Sequence, residues 1–126
     1  HGSDARLTQP LTFSLATFDN SLNATVARGG ASCPSCAITL GRQELAAARG
    51  RALAPAVLVL LTDGSTVSQD QLPIQAAAAR ASGIALIGIV VGDFSGVRGA
   101  ISEIVSSSDD FFAIAEWSDL NRGTLV

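Results

Sequence analysis

Two uninterrupted apolar segments constrain the fold of this chain more than any other feature. Residues 56–61 and 84–91 contain only apolar side chains and one glycine. Runs of this kind, rich in branched side chains, are typical of strands that are buried on both faces of a parallel sheet. Both are far shorter than the about 20 residues that a membrane-spanning helix needs. The sequence therefore predicts two central strands of a parallel sheet and no transmembrane segment.

Segments of helical composition separate and follow these strands. The apolar spacing predicts helices over residues 39–53, 71–82 and 97–106, a short strand over 111–115, and a last helix over 118–125 that Ser118 caps. Strands that alternate with helices indicate an α/β layered fold with a mostly parallel sheet.

The first part of the chain has a different pattern. Residues 11–18 alternate between apolar and polar side chains, residues 19–21 form a turn signal, and residues 22–27 are a weaker strand candidate. These features predict an antiparallel hairpin at the edge of the sheet.

Composition excludes several classes of protein. The chain has 126 residues, which is the size of one domain, and 48% hydrophobic against 15% charged residues excludes global disorder. The net charge is -3, and the eight basic residues are all scattered arginines. Without a basic stripe, nucleic acid and membrane insertion are not expected among the partners of this chain.

The position of the single histidine affects two predictions: where the domain begins and whether the chain is an enzyme. His1 lies in a His-Gly-Ser start that resembles a tag remnant, so we assign residues 1–10 to a tag remnant and linker and residues 11–126 to the domain. With His1 set aside, Ser-His-Asp and Cys-His catalysis lack their base. We therefore expect that the protein is not an enzyme.

Several segments, taken in order, resemble one known family. The Val-Leu-Val-Leu-Leu-Thr-Asp-Gly-Ser sequence at residues 57–65, the apolar strand that ends at Gly92, and the Trp-Ser-Asp-Leu sequence at 117–120 resemble successive parts of von Willebrand factor A-type domains. Residues 12–18 resemble the second strand of that family. The resemblance implies a three-layer, Rossmann-like α/β fold with a mostly parallel sheet and an antiparallel edge hairpin.

One part of the family pattern does not match. The family opens with a strand that carries Asp-x-Ser-x-Ser and continues into a helix, whereas the residues before Leu11 contain no such motif. That strand lies in the middle of the family's sheet, and unpaired buried backbone groups cost about 1–3 kcal/mol each. We therefore expect the first strand–helix unit to lie elsewhere in the polypeptide, to come from another chain or cleaved fragment, or to be replaced by a rearranged sheet.

The resemblance also implies a cation site. It places Asp63 in the third metal-binding loop and Thr39 at the position of the second-loop threonine, with Ser32 and Ser35 as competing hydroxyls. Such hard oxygen ligands suit Mg²⁺ or Ca²⁺. The alternative is structural: Asp63 begins a turn or caps the next helix, and Thr39 caps its own helix.

Ligands of open parallel sheets gather at the carboxyl ends of the strands. Ser65 and Asp93 follow the two central strands, so we predict that they form the rim at which a partner docks.

The two cysteines leave three interpretations open. Cys33-Pro34-Ser35-Cys36 precedes a predicted helix, which is also where a thioredoxin-like motif lies. The pair forms a local disulfide in an oxidising compartment, or stays reduced or otherwise paired, or carries redox chemistry.

Asn23-Ala24-Thr25 is an N-glycosylation acceptor pattern on the predicted edge hairpin. It agrees with an extracellular protein.

These features together predict an extracellular or cell-surface domain of adhesion type. Its partner would be a protein or glycoconjugate, bound at the carboxyl edge of the sheet with or without a bridging cation. One alternative is a structural assembly module whose sheet is completed by a strand from a partner chain. The other is a thiol–disulfide oxidoreductase that uses Cys33 and Cys36.

Overall fold

A parallel sheet with the strand order β1-β2-β3 organises the molecule. The computed structural model describes residues 5–26, 33–47, 55–63, 71–92 and 98–119. In chain order the elements are α1 (Leu15–Asn23), α2 (Pro34–Ala47), β1 (Val57–Thr62), α3 (Leu72–Ala81), β2 (Ala85–Val91), α4 (Arg98–Ile104) and β3 (Phe111–Ile114). The predicted α/β fold with a parallel sheet is confirmed.

β2 is the central strand of this sheet. It pairs with β1 from Val57 opposite Ala85 to Thr62 opposite Val90, and with β3 from Gly88 opposite Phe111 to Val91 opposite Ile114. Ser106, which precedes β3 in the chain, also pairs with the backbone of β2. Its N–H donates to the Leu86 carbonyl at 3.1 Å, and its hydroxyl accepts the Leu86 N–H at 2.8 Å.

Helices cover one face of the sheet. The main apolar cluster joins β2 side chains with α2, α3 and α4 through buried residues that include Ile38, Leu72, Leu86 and Ile101. Gly88 lets α4 approach β2 closely, because a Cβ atom built there would lie 2.6 Å from Cγ2 of Ile101. A smaller cluster, made by Ile89, Val91 and Ile114, lies on the opposite face.

The two apolar segments differ in burial. The prediction of burial on both faces is confirmed for most of β2, where Leu86, Val90 and Val91 are at most 1% exposed. It is wrong for β1, where Val57, Val59 and Leu61 are 44–52% exposed. β1 lies at the edge of the sheet described here. The face that carries Val57, Val59 and Leu61 is therefore packed against fewer side chains than the corresponding face of β2.

The predicted antiparallel hairpin is wrong. Residues 15–23 form α1 instead, and residues 22–27 contribute no strand within their described part, which ends at residue 26. Ser14 caps the helix, because its side-chain oxygen accepts the N–H of Thr17 at 3.1 Å. The apolar side chains at 15, 18 and 22 also fit helical spacing. Local capping and this spacing account for helix where the alternation predicted strands.

The other elements differ from prediction mainly at their ends. α2 begins at Pro34 rather than at residue 39, since proline suits the first turn of a helix. Ser118 lies inside a 3-10 turn over Trp117–Asp119 rather than capping a helix. The rest of the predicted last helix, residues 120–125, lies outside the described residues. Across the described ranges, no helix combines the length and apolar character that crossing a bilayer requires.

We predict that Gly88→Ala destabilises the fold. The added methyl group meets the branched side chains of Ile101 and Val105, which cannot move aside without shifting α4. Overpacking of this kind lowers the free energy of unfolding by about 1–3 kcal/mol, which urea denaturation measures.

Gly41→Ala is the matched control. The added group meets the mobile end of the Leu58 side chain, and alanine favours helix, so a smaller loss or a gain is expected. Equal stability of Gly88→Ala and the unchanged protein would contradict the close approach of α4 to β2.

Candidate binding site at the carboxyl edge of the sheet

The carboxyl ends of β1 and β2 form one edge of the parallel sheet. Thr62 is buried at the end of β1, and the exposed Asp63 follows it directly. At the end of β2, Gly92 has a φ of +93° and donates its N–H to the Ile114 carbonyl at 2.9 Å. A positive φ favours glycine, so this residue turns the chain as it leaves the sheet. The predicted rim residues Ser65 and Asp93 lie outside the described residues.

A cavity of about 350 Å³, lined by both apolar and polar side chains, lies between the first three turns of α2 and the start of α3. Because α3 follows β1, its first turn lies at the carboxyl edge, and α2 shares the cavity there. The polar side chains that line it are uncharged: Ser35, Thr39, Gln43, Gln71 and Gln75. The side-chain oxygen of Gln75 is buried and, within the described ranges, has no hydrogen-bond partner. The cavity can therefore present amide and hydroxyl groups to a polar ligand.

Sequence reasoning missed this glutamine-lined cavity. Gln75 is a polar residue directly before the four alanines of α3, which is a weak local signal for the cavity. The pairing of Gln71 and Gln75 with residues of α2 depends on how the two helices pack, and this cannot be deduced from either segment alone.

Thr39 lies in the second turn of α2, not in a loop before the helix. Its hydroxyl donates to the Ser35 carbonyl at 2.9 Å, one turn earlier. The helix begins at Pro34, so the structure corrects the prediction that Thr39 caps it. A role for Thr39 as a cation ligand stays a prediction.

Acidic side chains are sparse around Asp63 in the described part of the chain. Within that part, no group of three or more histidine, cysteine, aspartate or glutamate side chains is arranged to hold a metal ion. Ca²⁺ takes six to eight oxygen ligands, and Mg²⁺ needs an octahedral set that it fills partly with water. Asp63 supplies an exposed carboxylate at the carboxyl edge of the sheet.

Cys33 and Cys36 form a disulfide at the start of α2, with Cα atoms 5.3 Å apart. The N–H of Cys36 also points at the sulfur of Cys33, at 3.3 Å. Of the three interpretations of these cysteines, the local disulfide matches the structure. The bond joins the residue before α2 to the first turn of the helix.

Asn23 is the last residue of α1 and is exposed. The glycosylation pattern thus lies at a helix end rather than on a hairpin strand. The hydroxyl of Thr25 donates to the Ser21 carbonyl at 2.8 Å. The exposure of Asn23 is compatible with a glycan, which stays a prediction.

The family is decided by comparison with known proteins. The model of the von Willebrand factor type A domain matches residues 2–124. The chain belongs to the von Willebrand factor type A family. No curated protein matches it. The predicted family membership is confirmed over nearly the whole length of this von Willebrand factor type A chain.

Solved structures agree with the fold of this von Willebrand factor type A domain. One is proximal thread matrix protein 1 from the mussel byssus with a zinc-occupied MIDAS motif, which has a TM-score of 0.79 and 21% identity over 94% of this chain. A second crystal form of that protein has a TM-score of 0.69 and 19% identity over 95% of this chain. In both cases the match spans 30% of the mussel protein. At this identity the likeness shows the fold alone.

We predict that loss of the disulfide weakens the fold moderately. In the chain-entropy account, closing so short a loop stabilises a protein by about 2 kcal/mol, less than a long-range bridge does. A Cys33→Ser/Cys36→Ser variant should lose about that much in urea unfolding, and the unchanged protein should lose the same amount once a reductant has opened the bond.

The reductant must leave the double variant unaffected, which controls for other effects of the reagent. If mass spectrometry shows that the unchanged protein is fully reduced while its unfolding midpoint stays the same, the disulfide does not stabilise α2.

Proposed function

We propose that this domain is an extracellular protein-binding module of the adhesion type, which meets its partner at the carboxyl edge of its sheet. The observation that carries the proposal is the placement of Asp63. It is exposed, it follows the buried end of β1, and it lies at the edge to which α2 and α3 bring the polar cavity. Parallel α/β sheets bind ligands at this edge.

The same edge is the proposed place of a divalent cation. Asp63 is a hard oxygen donor, and it occupies the position that the family resemblance assigns to a metal-binding loop. The zinc-occupied motif of the mussel protein supports cation binding in the family. For this chain the proposed ion is Mg²⁺ or Ca²⁺, which prefer carboxylate and hydroxyl oxygens. Ser65 and Asp93 remain the proposed rim.

A binding role without catalysis is part of the proposal. His1 is the only histidine of the chain, so a histidine base is missing from residues 2–126. The polar side chains that line the cavity between α2 and α3 are uncharged, so they offer no charged acid or base. These groups suit recognition of a polar surface.

We predict that Asp63→Ala weakens cation binding. In calorimetric titrations with MgCl₂ and CaCl₂, the unchanged domain should give a saturable signal for one of the two ions. Loss of a carboxylate should raise the Kd by at least about tenfold, since even groups that only orient ligands contribute 10- to 100-fold.

Asp109→Ala is the matched control. Asp109 is also exposed, but it precedes β3 and so lies at the opposite, amino edge of the sheet. Equal affinities of Asp63→Ala and the unchanged protein would remove Asp63 from the site, and no signal from the unchanged protein with either ion would refute the cation part of the proposal.

We predict that Asn23 carries a glycan when the domain is secreted from a eukaryotic cell. Asn23 is exposed at the end of α1 and begins an Asn-x-Thr triplet. Intact-mass measurement before and after glycosidase treatment should show one glycan that Asn23→Gln abolishes.

Asn20→Gln provides the control, because Asn20 is exposed on the same helix but begins Asn-Ser-Leu, which is no acceptor. If the secreted domain carries no glycan, the prediction is wrong and the support for an extracellular location is weaker.

A further inference from the structure

Two polar stripes face each other across the glutamine-lined cavity. On α2, Ser35, Thr39 and Gln43 recur at every fourth residue. Gln71 and Gln75 have the same spacing at the start of α3. All five side chains line the cavity, as expected for residues four apart, which lie on one face of a helix. The facing side of a packed helix is normally apolar, so these stripes form the walls of a cleft rather than a packing seam.

The two helices use only part of the hydrogen-bonding capacity of these stripes. The hydroxyl of Thr39 donates within α2, to the Ser35 carbonyl at 2.9 Å. Within the described ranges, no side-chain hydrogen bond joins one stripe to the other. Each glutamine amide has two N–H donors and one carbonyl acceptor. The amides of Gln43, Gln71 and Gln75 can therefore bond to a molecule that enters the cavity.

Gln75 is the member of these stripes that most needs a partner. The residue is half-buried, its Oε1 atom is buried, and this atom accepts no hydrogen bond from the described part of the chain. A buried acceptor without a donor lowers the free energy of unfolding. The amide turns about a soft terminal dihedral, so it can meet a donor placed in the cavity that its side chain lines. A ligand with an N–H group would supply the hydrogen bond that Oε1 lacks.

The uncharged polar lining selects among ligand groups. A carboxylate offers only acceptors and would repel the oxygen of Gln75. An ammonium or guanidinium group would lose its hydration without meeting a negative charge among the described lining residues. An apolar group would leave Gln75 unsatisfied. A primary carboxamide has donors and an acceptor, so it can form two hydrogen bonds with a glutamine amide.

We propose that the glutamine-lined cavity is a specificity pocket for an asparagine or glutamine side chain of the partner polypeptide. The inference rests on the proposed function, since the cavity lies at the same edge of the sheet as Asp63. The amide of Gln75 would pair with the entering carboxamide, and the exposed Gln43 and Gln71 would add hydrogen bonds from either helix. Leu40 also lines the cavity and would contact the methylene groups of the entering side chain.

The experiment selects phage-displayed random heptapeptides on the immobilised whole domain, with MgCl₂ and CaCl₂ present. Sequencing compares the residue frequencies of the bound peptides with those of the starting library. The same selection is run on the variants Gln75→Leu, Gln75→Glu and Ile74→Ala. The last is the matched control, since Ile74 is 59% exposed on α3 and does not line the cavity.

The unchanged domain and Ile74→Ala should enrich asparagine or glutamine at one peptide position. Gln75→Leu should abolish this preference, and Gln75→Glu should shift it to lysine or arginine, because a carboxylate in the cavity attracts a cation. A synthetic peptide of an enriched sequence then gives Kd values by fluorescence anisotropy. Replacing its carboxamide by the isosteric carboxylate should raise the Kd at least about tenfold for the unchanged domain, and less than about threefold for Gln75→Leu.

The outcomes separate this inference from the proposed function. Enriched peptides without a carboxamide preference, or with one that Gln75→Leu leaves unchanged, overturn the pocket but not the protein-binding role. A preference for serine and threonine identifies a hydroxyl ligand and overturns the carboxamide. If the unchanged domain enriches no peptide, the protein-binding role loses its support and the inference falls with it.

Circular dichroism checks that each variant keeps the fold. Gln75→Leu removes an unsatisfied buried oxygen, so it should unfold at the same or a higher urea concentration than the unchanged domain. If Gln75→Leu fails to fold, Gln75→Glu and the carboxylate peptide still decide the question.

Discussion

The burial of β2 is the interaction on which the rest of the structure depends. This strand pairs with a neighbour on each side and contributes to both apolar clusters. On its helical face, Gly88 brings α4 into contact with the strand. Because the ladders to β1 and β3 are parallel, the position of β2 also fixes the direction of the other two strands. A change at its centre therefore affects the sheet and the helical layer together.

The location of the candidate site follows from this arrangement. Parallel strands place the ends of β1 and β2 at one edge, where Asp63 and Gly92 leave the sheet. The chain then returns through α3, so that the start of α3 lies at the same edge and faces α2 across the glutamine-lined cavity. The disulfide of Cys33 and Cys36 fastens that end of α2. The polar groups therefore lie at one edge of the sheet because of the direction of the strands and helices, more than because of any single side chain.

Sequence patterns predicted the features that depend on long, uniform segments. β1, β2 and α3 were located within one residue, because continuous apolar runs and helical spacing leave few alternatives. The prediction for residues 11–27 was wrong, because their apolar positions fit both the strand period and the helix period. The side-chain cap of Ser14 favours the helix. Asp63 was predicted as a site residue from a sequence motif, and its role stays a prediction. The glutamine-lined cavity could not be predicted, because it arises between helices that are distant in the sequence.

β1 and β2 differ in burial although their composition is similar. Both strands have almost the same apolar composition, yet β2 is mostly buried while β1 keeps three large apolar side chains exposed. Burial of apolar area stabilises a protein by roughly 25 cal/mol per Å², so this exposure leaves stabilisation unrealised within the described structure. A strand that had evolved for a solvent-facing edge would gain solubility from charged residues at no cost in packing. The sequence of β1 is instead typical of an interior strand, so composition alone could not tell β1 from β2.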